Sequence, residues 1–198
     1  MSTLRETYDS IAAGFAARYA DIPADLVPLM VSVSDHVGTS GLILDVGCGH
    51  GRDMAWFAAR DNRVVGFDLS LAMLREAQGP RLQADMTQLP IRDGAADAVW
   101  CNAALLHLPK TIAPLALNEF HRALKPDGLL VVTVQRGSHD GPRRNETWNV
   151  TRHFSDYEPD EITEILEGVG FVVRTTSQSE GPTVTWVQTL SQRGRYPR

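Results

Sequence analysis

The sequence has only two cysteines, Cys48 and Cys101, so it carries no disulfide framework. Basic residues are also scarce: 19 Lys and Arg stand against 24 Asp and Glu, and the net charge of -5 disfavours nucleic acid as a partner. No uncharged run approaches the roughly 20 apolar residues that span a bilayer, and the charged N-terminus lacks the apolar core of a signal peptide. The sequence therefore predicts a cytoplasmic protein with no membrane or nucleic-acid partner.

The composition is that of a globular protein, with 43% hydrophobic and 22% charged residues among 198. At roughly 100–200 residues per domain, we expect a single domain over residues 1–198 that buries a substantial core. Changes in pattern divide it into a helical N-terminal part (1–40), a central part (41–135) and a C-terminal part (136–198).

Hydrophobic periodicity predicts short strands alternating with helices. The expected strands are Leu42–Val46, Val64–Phe67, Leu82–Ala84, Ala98–Cys101, Leu129–Gln135, Phe171–Thr175 and Thr183–Leu190. The expected helices are Thr3–Tyr19, Asp25–Val37, Arg52–Arg60, Ser70–Gln78, Pro114–Leu124 and Pro159–Val169. This alternation predicts a doubly wound α/β fold with a mostly parallel sheet, and the turn at Gly181-Pro182 predicts an antiparallel C-terminal hairpin.

Two segments depart from this regular pattern. Gly14 lies inside the first predicted helix, where glycine costs about 1 kcal/mol relative to alanine, so we expect that helix to be imperfect or mobile. The polar segment Arg136–Tyr157 contains Gly137, Gly141 and Pro142 and is expected to be irregular.

A glycine-rich loop follows the first predicted strand. Gly47, Gly49 and Gly51 let the backbone turn sharply and let a ligand approach the main chain, and the next helix offers unpaired N–H groups. The third glycine comes only two positions after the second, whereas the dinucleotide fingerprint requires three. This spacing, together with Asp45 two residues before the first glycine, disfavours NAD as the ligand.

Aspartates lie at the carboxyl ends of three predicted strands. Asp45 is the next-to-last residue of the first, Asp68 follows the second and Asp85 follows the third, so they should line one crevice at the carboxyl edge of the sheet. Asp68 lies close to the offset of about 20 residues at which a carboxylate binds ribose hydroxyls. A single aspartate at a strand end often only caps the next helix, but three behind a glycine loop indicate a ligand site.

Five segments together resemble the class I S-adenosylmethionine-dependent methyltransferases, particularly small single-domain members. They are LILDVGCGHGRD, VVGFDLS, QADMTQLPI, AADAVWCNAALLHLP and LKPDGLLVVTV, in the order of that family's motifs over Gly41–Val134. The resemblance implies a Rossmann-like sheet of seven strands and S-adenosyl-L-methionine as cofactor. It also implies that residues 1–40 form a lid, 41–135 the cofactor-binding core and 136–198 the substrate side.

The resemblance further implies roles for individual residues. Asp68 would bind the ribose hydroxyls, Asp85 the adenine amino group, and the N-terminal helix would close over the cofactor. The implied cofactor-binding residues are Asp45, Gly47, Cys48, Gly49, Asp68, Leu69, Asp85, Met86, Cys101, Asn102 and Arg18.

Candidates for catalysis and substrate binding lie outside these motifs or at their ends. His107 follows the fourth strand, where a histidine is suited to general-base catalysis, although a helix-end histidine bonded to backbone is the alternative. Tyr8 and Tyr19 are catalytic candidates that could equally be core positions of an amphipathic helix. The candidate substrate-binding residues are Trp148, Arg144 and His153.

The predicted function is methyl transfer to an N, O or S atom of a small molecule by in-line displacement (EC 2.1.1.-). The alternatives are a methyltransferase acting on a protein, peptide or RNA, and a non-catalytic module that only binds S-adenosylmethionine. No cluster of residues has metal-ligand spacing, so no metal is expected. We expect a monomer or a homodimer.

Overall fold

The computed structural model describes residues 3–194. The helices are α1 Leu4–Arg18, α2 Val27–Val37, α3 Arg52–Ala58, α4 Leu71–Glu76, α5 Ala113–Ala123 and α6 Pro159–Gly168, with a 3-10 turn at Leu105–His107. The strands are β1 Leu42–Val46, β2 Arg63–Asp68, β3 Arg81–Gln83, β4 Ala96–Asn102, β5 Leu124–Gln135, β6 Asp140–Asn145, β7 Val150–Ser155, β8 Phe171–Glu180 and β9 Thr185–Arg193. None of the helices described is both long enough and apolar enough to cross a bilayer.

Seven strands form one sheet in the order β3-β2-β1-β4-β5-β9-β8. The strands from β3 to β5 are parallel to their neighbours, whereas β9 is antiparallel to both β5 and β8. The predicted doubly wound α/β fold with an antiparallel C-terminal hairpin is confirmed. The strand order reverses between β1 and β4, and in such sheets a ligand crevice opens at the carboxyl ends of the strands beside the reversal.

Side chains on both faces of the sheet are buried, which explains the uninterrupted apolar run of β1. Leu44 and Val46 point into a cluster that includes α5 and α6, whereas Ile43 points into a second cluster with α2 and α3. Trp100 on β4 is completely buried in the second cluster. A strand buried on both faces cannot show the polar–apolar alternation of a half-exposed strand.

The segment predicted to be irregular instead contains a regular hairpin. Strands β6 and β7 pair antiparallel from Asp140 opposite Ser155 to Asn145 opposite Val150, as a separate two-stranded sheet. The prediction was wrong because a buried arginine, Arg152, occupies an inward position of β7 between two apolar residues and breaks the apolar alternation.

Helix α1 is continuous through Gly14, contrary to the expected imperfect helix. A Cβ atom at Gly14 would lie 2.8 Å from Cζ3 of Trp148, so this glycine makes room for the Trp148 ring. The helix begins with a capping box, in which the Thr3 side chain accepts from the Glu6 N–H and Glu6 accepts from the Thr3 N–H. Residues 1–2 of the predicted lid and 195–198 of the C-terminal part lie outside the described residues.

Two glycine-to-alanine substitutions should change stability in opposite directions. A Cβ at Gly66 on β2 would lie 2.3 Å from Met54 Sδ, so G66A should lower the free energy of unfolding by about 1–3 kcal/mol. Gly168 ends α6, and a Cβ there would have no atom within 4 Å. G168A should therefore raise the free energy of unfolding by about 0.4–1 kcal/mol, because alanine reduces the conformational freedom of the unfolded chain. Urea denaturation of both variants measures the difference. A G66A variant as stable as the wild type would contradict the packing described here.

Candidate active site

The carboxyl ends of β1, β2 and β4 meet beside the reversal in strand order. Asp45 lies on β1, Asp68 is the last residue of β2 and Asn102 is the last residue of β4. The glycine loop connects β1 to α3 across this edge, and the short segment after β4 faces it: a Cβ at Gly47 would lie 2.2 Å from Ala104 Cβ. The predicted crevice is therefore bounded by loops whose backbones approach closely.

The glycine loop is held against the end of β2 by backbone hydrogen bonds. Gly47 and Cys48 both donate their N–H groups to the Phe67 carbonyl, at 2.7 and 3.0 Å. The Gly49 N–H donates to Oδ2 of Asp68 at 2.8 Å. Gly47 and Gly49 have φ values of 75° and 54°, which are favourable for glycine, so the loop conformation depends on these two residues.

Asp68 links the first two loops of the site. Its Oδ1 accepts from the Ser70 N–H at 2.8 Å while Oδ2 accepts from Gly49, so both oxygens are oriented by backbone donors. Burial raises the pKa of Asp68, and its hydrogen bonds to backbone N–H groups act in the opposite direction. Each carboxylate oxygen keeps further acceptor capacity for a ligand hydroxyl.

Asp45 is almost completely buried, and its Oδ2 has no hydrogen-bond partner. Burial, followed by the nearby Asp53 carboxylate, raises the pKa of Asp45 well above its ordinary value. An unpartnered buried carboxylate oxygen is costly, and a positively charged or proton-donating ligand group would satisfy it.

The Asn102 side chain is bound within the protein rather than directed at a ligand. Its Nδ2 donates to Asp53 Oδ2 at 2.8 Å, and its Oδ1 accepts from Thr133 Oγ1 at 2.5 Å. Asp53 also accepts from Trp100 Nε1 at 2.8 Å. The predicted cofactor-binding role of Asn102 stays a prediction, and these bonds orient its side chain toward Asp53 and Thr133.

The remaining predicted cofactor residues differ in accessibility. Cys101 is fully buried in the core and burial raises its pKa to about 12, while burial also raises the pKa of Cys48. Leu69 is exposed next to Asp68. Asp85 is exposed, and its Oδ1 accepts from both the N–H and the hydroxyl of Thr87. Met86 extends to the glycine loop, with its Cε 4.0 Å from the position of a Cβ at Gly47.

Helix α1 is attached to the start of α4 by Asp9. Oδ1 of Asp9 accepts from the Ser70 hydroxyl at 2.6 Å and from the Ala72 N–H at 3.1 Å. These bonds lower the pKa of Asp9, and they place the N-terminal helix directly beside Asp68. Apolar packing adds to these bonds, since Ile11 and Ala12 of α1 are buried against Met73 of α4.

Tyr8 on α1 and His107 after β4 form a hydrogen-bonded pair. His107 Nδ1 lies 2.9 Å from the His153 carbonyl oxygen and must donate to it, so in the neutral ring Nε2 is the acceptor. The Tyr8 hydroxyl therefore donates to Nε2, at 2.6 Å. Burial lowers the pKa of His107 to about 3 and raises that of Tyr8 to about 12, so both groups are neutral near pH 7.

An aromatic cluster centred on Phe15 covers the adjoining part of the site. The Phe15 ring lies 5.7 Å from Tyr8, 4.5 Å from Tyr19, 6.0 Å from His50 and 6.3 Å from Trp148, measured between centroids. Tyr19 is exposed at the end of this cluster, with the Arg18 guanidinium 5.8 Å from its ring centroid.

The two faces of the β6–β7 hairpin separate its charged residues. Arg144 is exposed and forms an ion pair with Glu146, with 3.1 Å between Nε and Oε1. Nε2 of His153 lies 2.8 Å from Oδ1 of Asp140. Arg152 and Phe154 alternate with His153 on β7 and are buried on the opposite face. The structure thus brings Trp148 and Arg152 to the site and turns the side chains of Arg144 and His153 away.

Sequence reasoning missed three side chains of this region: Asp9, Asp53 and Arg152. Asp9 and Asp53 are ordinary helix residues in the sequence, and only their tertiary partners distinguish them. The sequence did contain a signal for Arg152, because this residue takes the place of an apolar one in the alternating series Val150, Arg152, Phe154. Among residues 3–194, no group of three His, Cys, Asp or Glu side chains is arranged to hold a metal ion.

Comparison with known proteins agrees with this geometry. Residues 44–132, from β1 to β5, match the family model described as a methyltransferase domain. By this match, residues 44–132 form a methyltransferase domain. The resemblance seen in the five sequence segments is thereby confirmed, and the matched region contains the glycine loop, Asp45, Asp68, Asp85 and His107.

Relatives of the methyltransferase domain are found by sequence and by structure. A malonyl-acyl-carrier-protein O-methyltransferase of Laribacter hongkongensis is 32% identical over 149 residues, which is 66% of this chain and 49% of the relative. The 1,6-didemethyltoxoflavin N1-methyltransferase of Burkholderia thailandensis has the same fold, with a TM-score of 0.73, 21% identity and coverage of 98% of this chain and 92% of that one.

A third relative, phosphoethanolamine N-methyltransferase 2 of Haemonchus contortus, gives a TM-score of 0.76 at 16% identity, over 98% of this chain and 61% of that one. At such identities the two solved structures establish the fold of the methyltransferase domain and no more. The chain spans about half the length of the curated relatives it matches.

The buried His107 should make the stability of the methyltransferase domain acid-sensitive. Between pH 6.5 and about 3 the unfolded chain binds a proton at His107 that the folded chain does not, so stability falls as the pH is lowered through this range. The contribution approaches about 1.4 kcal/mol per pH unit. H107Q removes the titrating imidazole, so the unfolding free energy of this variant should depend less on pH than that of the wild type.

Chemical denaturation at several values between pH 4 and 7 compares the two proteins, with H36Q at an exposed histidine of α2 as the matched control. H36Q should follow the wild-type pH dependence. Parallel curves for the wild type and H107Q would contradict the assignment of a buried neutral imidazole.

Proposed function

We propose that this protein transfers a methyl group from S-adenosylmethionine to an N, O or S atom of a small molecule. The observation that carries the proposal is the sheet edge beside the β1–β4 reversal, where Asp45, the glycine loop and the oriented Asp68 carboxylate lie together. The buried, unbridged cysteines fit a cytoplasmic enzyme.

The residues present fit the chemical groups of the cofactor. Asp68 would accept from the ribose hydroxyls, because both its oxygens are oriented and retain acceptor capacity. The unpartnered oxygen of Asp45 would contact the methionine portion of the cofactor. The positive charge of that portion would compensate the buried carboxylate. The exposed Leu69 side chain beside Asp68 offers an apolar surface for the adenine ring.

When bound, the sulfonium group supplies a methyl carbon that is open to nucleophilic displacement. The protein's own contribution is alignment and exclusion of water, because an in-line displacement depends chiefly on the geometry of the reactants. Helix α1 provides the cover, held by Asp9 and by the aromatic cluster around Phe15.

The Tyr8–His107 pair is suited to orient an acceptor and to take up its proton. The bond from His107 Nδ1 to the His153 carbonyl fixes the tautomer, so Nε2 always presents a lone pair toward Tyr8. In the closed arrangement the low pKa of His107 makes it a weak base, and orientation through the Tyr8 hydroxyl is the stronger role.

A small acceptor is favoured because the cover consists of one helix and one hairpin packed closely together. Trp148 on the β6–β7 turn contacts the Gly14 face of α1, which leaves the Tyr8–His107 pair enclosed. The curated relatives are named malonyl-[acyl-carrier protein] O-methyltransferases, so the acceptor named for those proteins is a malonyl group attached to a carrier protein.

Asp68 supplies the test of cofactor binding. D68N should weaken binding of S-adenosylhomocysteine by about 1–3 kcal/mol, because charged acceptors for the ribose hydroxyls are lost. Isothermal titration measures the affinity, and D61N serves as control since Asp61 is exposed before β2, at the opposite edge of the sheet. Unchanged affinity in D68N would refute its role, and stabilisation of the wild type by NAD alone would refute the cofactor.

Tyr8 supplies the test of the transfer step. With labelled S-adenosylmethionine and a panel of small carboxylates, amines and thiols, we expect label in the small-molecule fraction. Y8F should reduce turnover at least about tenfold while S-adenosylhomocysteine affinity stays within about twofold, since the lost bond orients the acceptor. Label found only in added protein or RNA would contradict the acceptor class, and equal losses of turnover and affinity would make Tyr8 structural.

A further inference from the structure

Arg152 is a buried cation at the centre of the hairpin face that meets α1. Its side chain is 7% exposed and lies between two aromatic rings, with Cζ 5.0 Å from the Tyr8 centroid and 5.1 Å from that of Phe154. Nη1 donates to the Tyr8 hydroxyl oxygen at 2.6 Å. Nε is buried without any hydrogen-bond partner.

No acidic side chain among residues 3–194 forms an ion pair with Arg152. Its cross-strand neighbour Arg143 provides the contrast, because the two residues are directly opposite on β6 and β7. Arg143 pairs with Asp156 and donates to Gln135 Oε1 at 2.8 Å. One arginine of the pair is thus neutralised by the protein, and the other is not.

Burying a guanidinium without a counter-charge is expensive, and aromatic faces offset only part of that cost. The planar group carries two parallel donors along its Nε–Nη2 edge, a geometry that matches both oxygens of a carboxylate. Nη1 is the nitrogen bound to Tyr8, so this edge is left without an acceptor from the described part of the chain. A bidentate anion would satisfy both donors of this edge.

The position of Arg152 relates this anion to the acceptor. Arg152 and His107 both bond to the Tyr8 hydroxyl oxygen, each at 2.6 Å, so an anion on the Nε–Nη2 edge would be separated from the Tyr8–His107 pair by the guanidinium group alone. His107 follows β4, whereas Asp45 lies on β1 and the glycine loop follows that strand, and these two fit the methionine portion of the cofactor. Arg152 consequently belongs to the acceptor side of the site.

We propose that Arg152 binds a carboxylate of the methyl acceptor through its Nε–Nη2 edge, so that the substrate is a carboxylic acid. This assignment rests on the proposed methyltransferase function and names its substrate class. Because Tyr8 of α1 covers the guanidinium, the acceptor enters when α1 is displaced, and α1 closes again over the bound anion.

The test uses the full chain with saturating S-adenosylhomocysteine and three probes: malonate, benzoate and inorganic phosphate. Calorimetry should show that a carboxylate probe binds the wild type and that R152M weakens its binding about 10- to 100-fold. R152K keeps the positive charge but lacks the two parallel N–H donors of arginine, so it should bind the probe with intermediate affinity. R174M, at an exposed arginine on β8, is the matched control and should bind like the wild type.

A second measurement separates the acceptor from the cofactor, which has a carboxylate of its own. S-adenosylhomocysteine and 5′-methylthioadenosine, which lacks that carboxylate, should each bind R152M and the wild type equally. Weaker binding of S-adenosylhomocysteine alone would overturn the proposal in favour of the cofactor carboxylate. A probe that binds R152M or R152K as tightly as wild type, or phosphate as the only probe bound, would also overturn it. If S-adenosylhomocysteine does not bind the wild type, the proposed function itself has failed.

Discussion

The parallel pairing of β1 with both β2 and β4 is the constraint on which the site depends. It brings the carboxyl ends of three strands to one edge and leaves the two connecting loops on opposite sides of the β1–β4 junction. The bond from the Gly49 N–H to Asp68 then fixes the first loop against the second. Two positive-φ glycines make that approach possible, so a local backbone property determines the shape of the crevice.

Helix α1 is attached to this edge by polar bonds and by a small apolar cluster, in which Ile11 and Ala12 pack against Met73 of α4. Asp9 bonds to the start of α4, Tyr8 bonds to His107, and Phe15 and Trp148 pack together across the cover. Gly14 illustrates the balance between local and tertiary preference. It weakens the helix in isolation, yet its missing Cβ allows the Trp148 ring to approach the helix axis. Cover and site are consequently assembled by the same contacts.

Buried charge is concentrated at the site, although it opposes folding. Asp45 has a carboxylate oxygen and Arg152 a guanidinium nitrogen without partners, and both lie near the crevice. Each unsatisfied group costs free energy that the apolar clusters on the two faces of the sheet must offset. These two unsatisfied groups underlie the two proposals made for the site, the cation-bearing cofactor beside Asp45 and an anionic acceptor beside Arg152.

The sequence by itself determined the order of strands and helices between Leu42 and Gln135 and the positions of the three strand-ending aspartates. These features are local, because apolar period, glycine spacing and turn residues act over a few neighbours. The β6–β7 hairpin was not predicted, since the arginine on its buried face lacks the signal of an apolar strand. The aspartates Asp9 and Asp53 gained their roles only from partners that are distant in sequence.

Tertiary structure also decided which candidate side chains face the crevice. Two adjacent residues, His153 and Arg152, are equally polar in the sequence, but strand pleating sends them to opposite faces of the hairpin. A shift of one residue in register would exchange them, and only packing against α1 and the loop after β4 fixes that register. The chemistry of the site was therefore predictable as a list of residue types, whereas its geometry depended on long-range contacts.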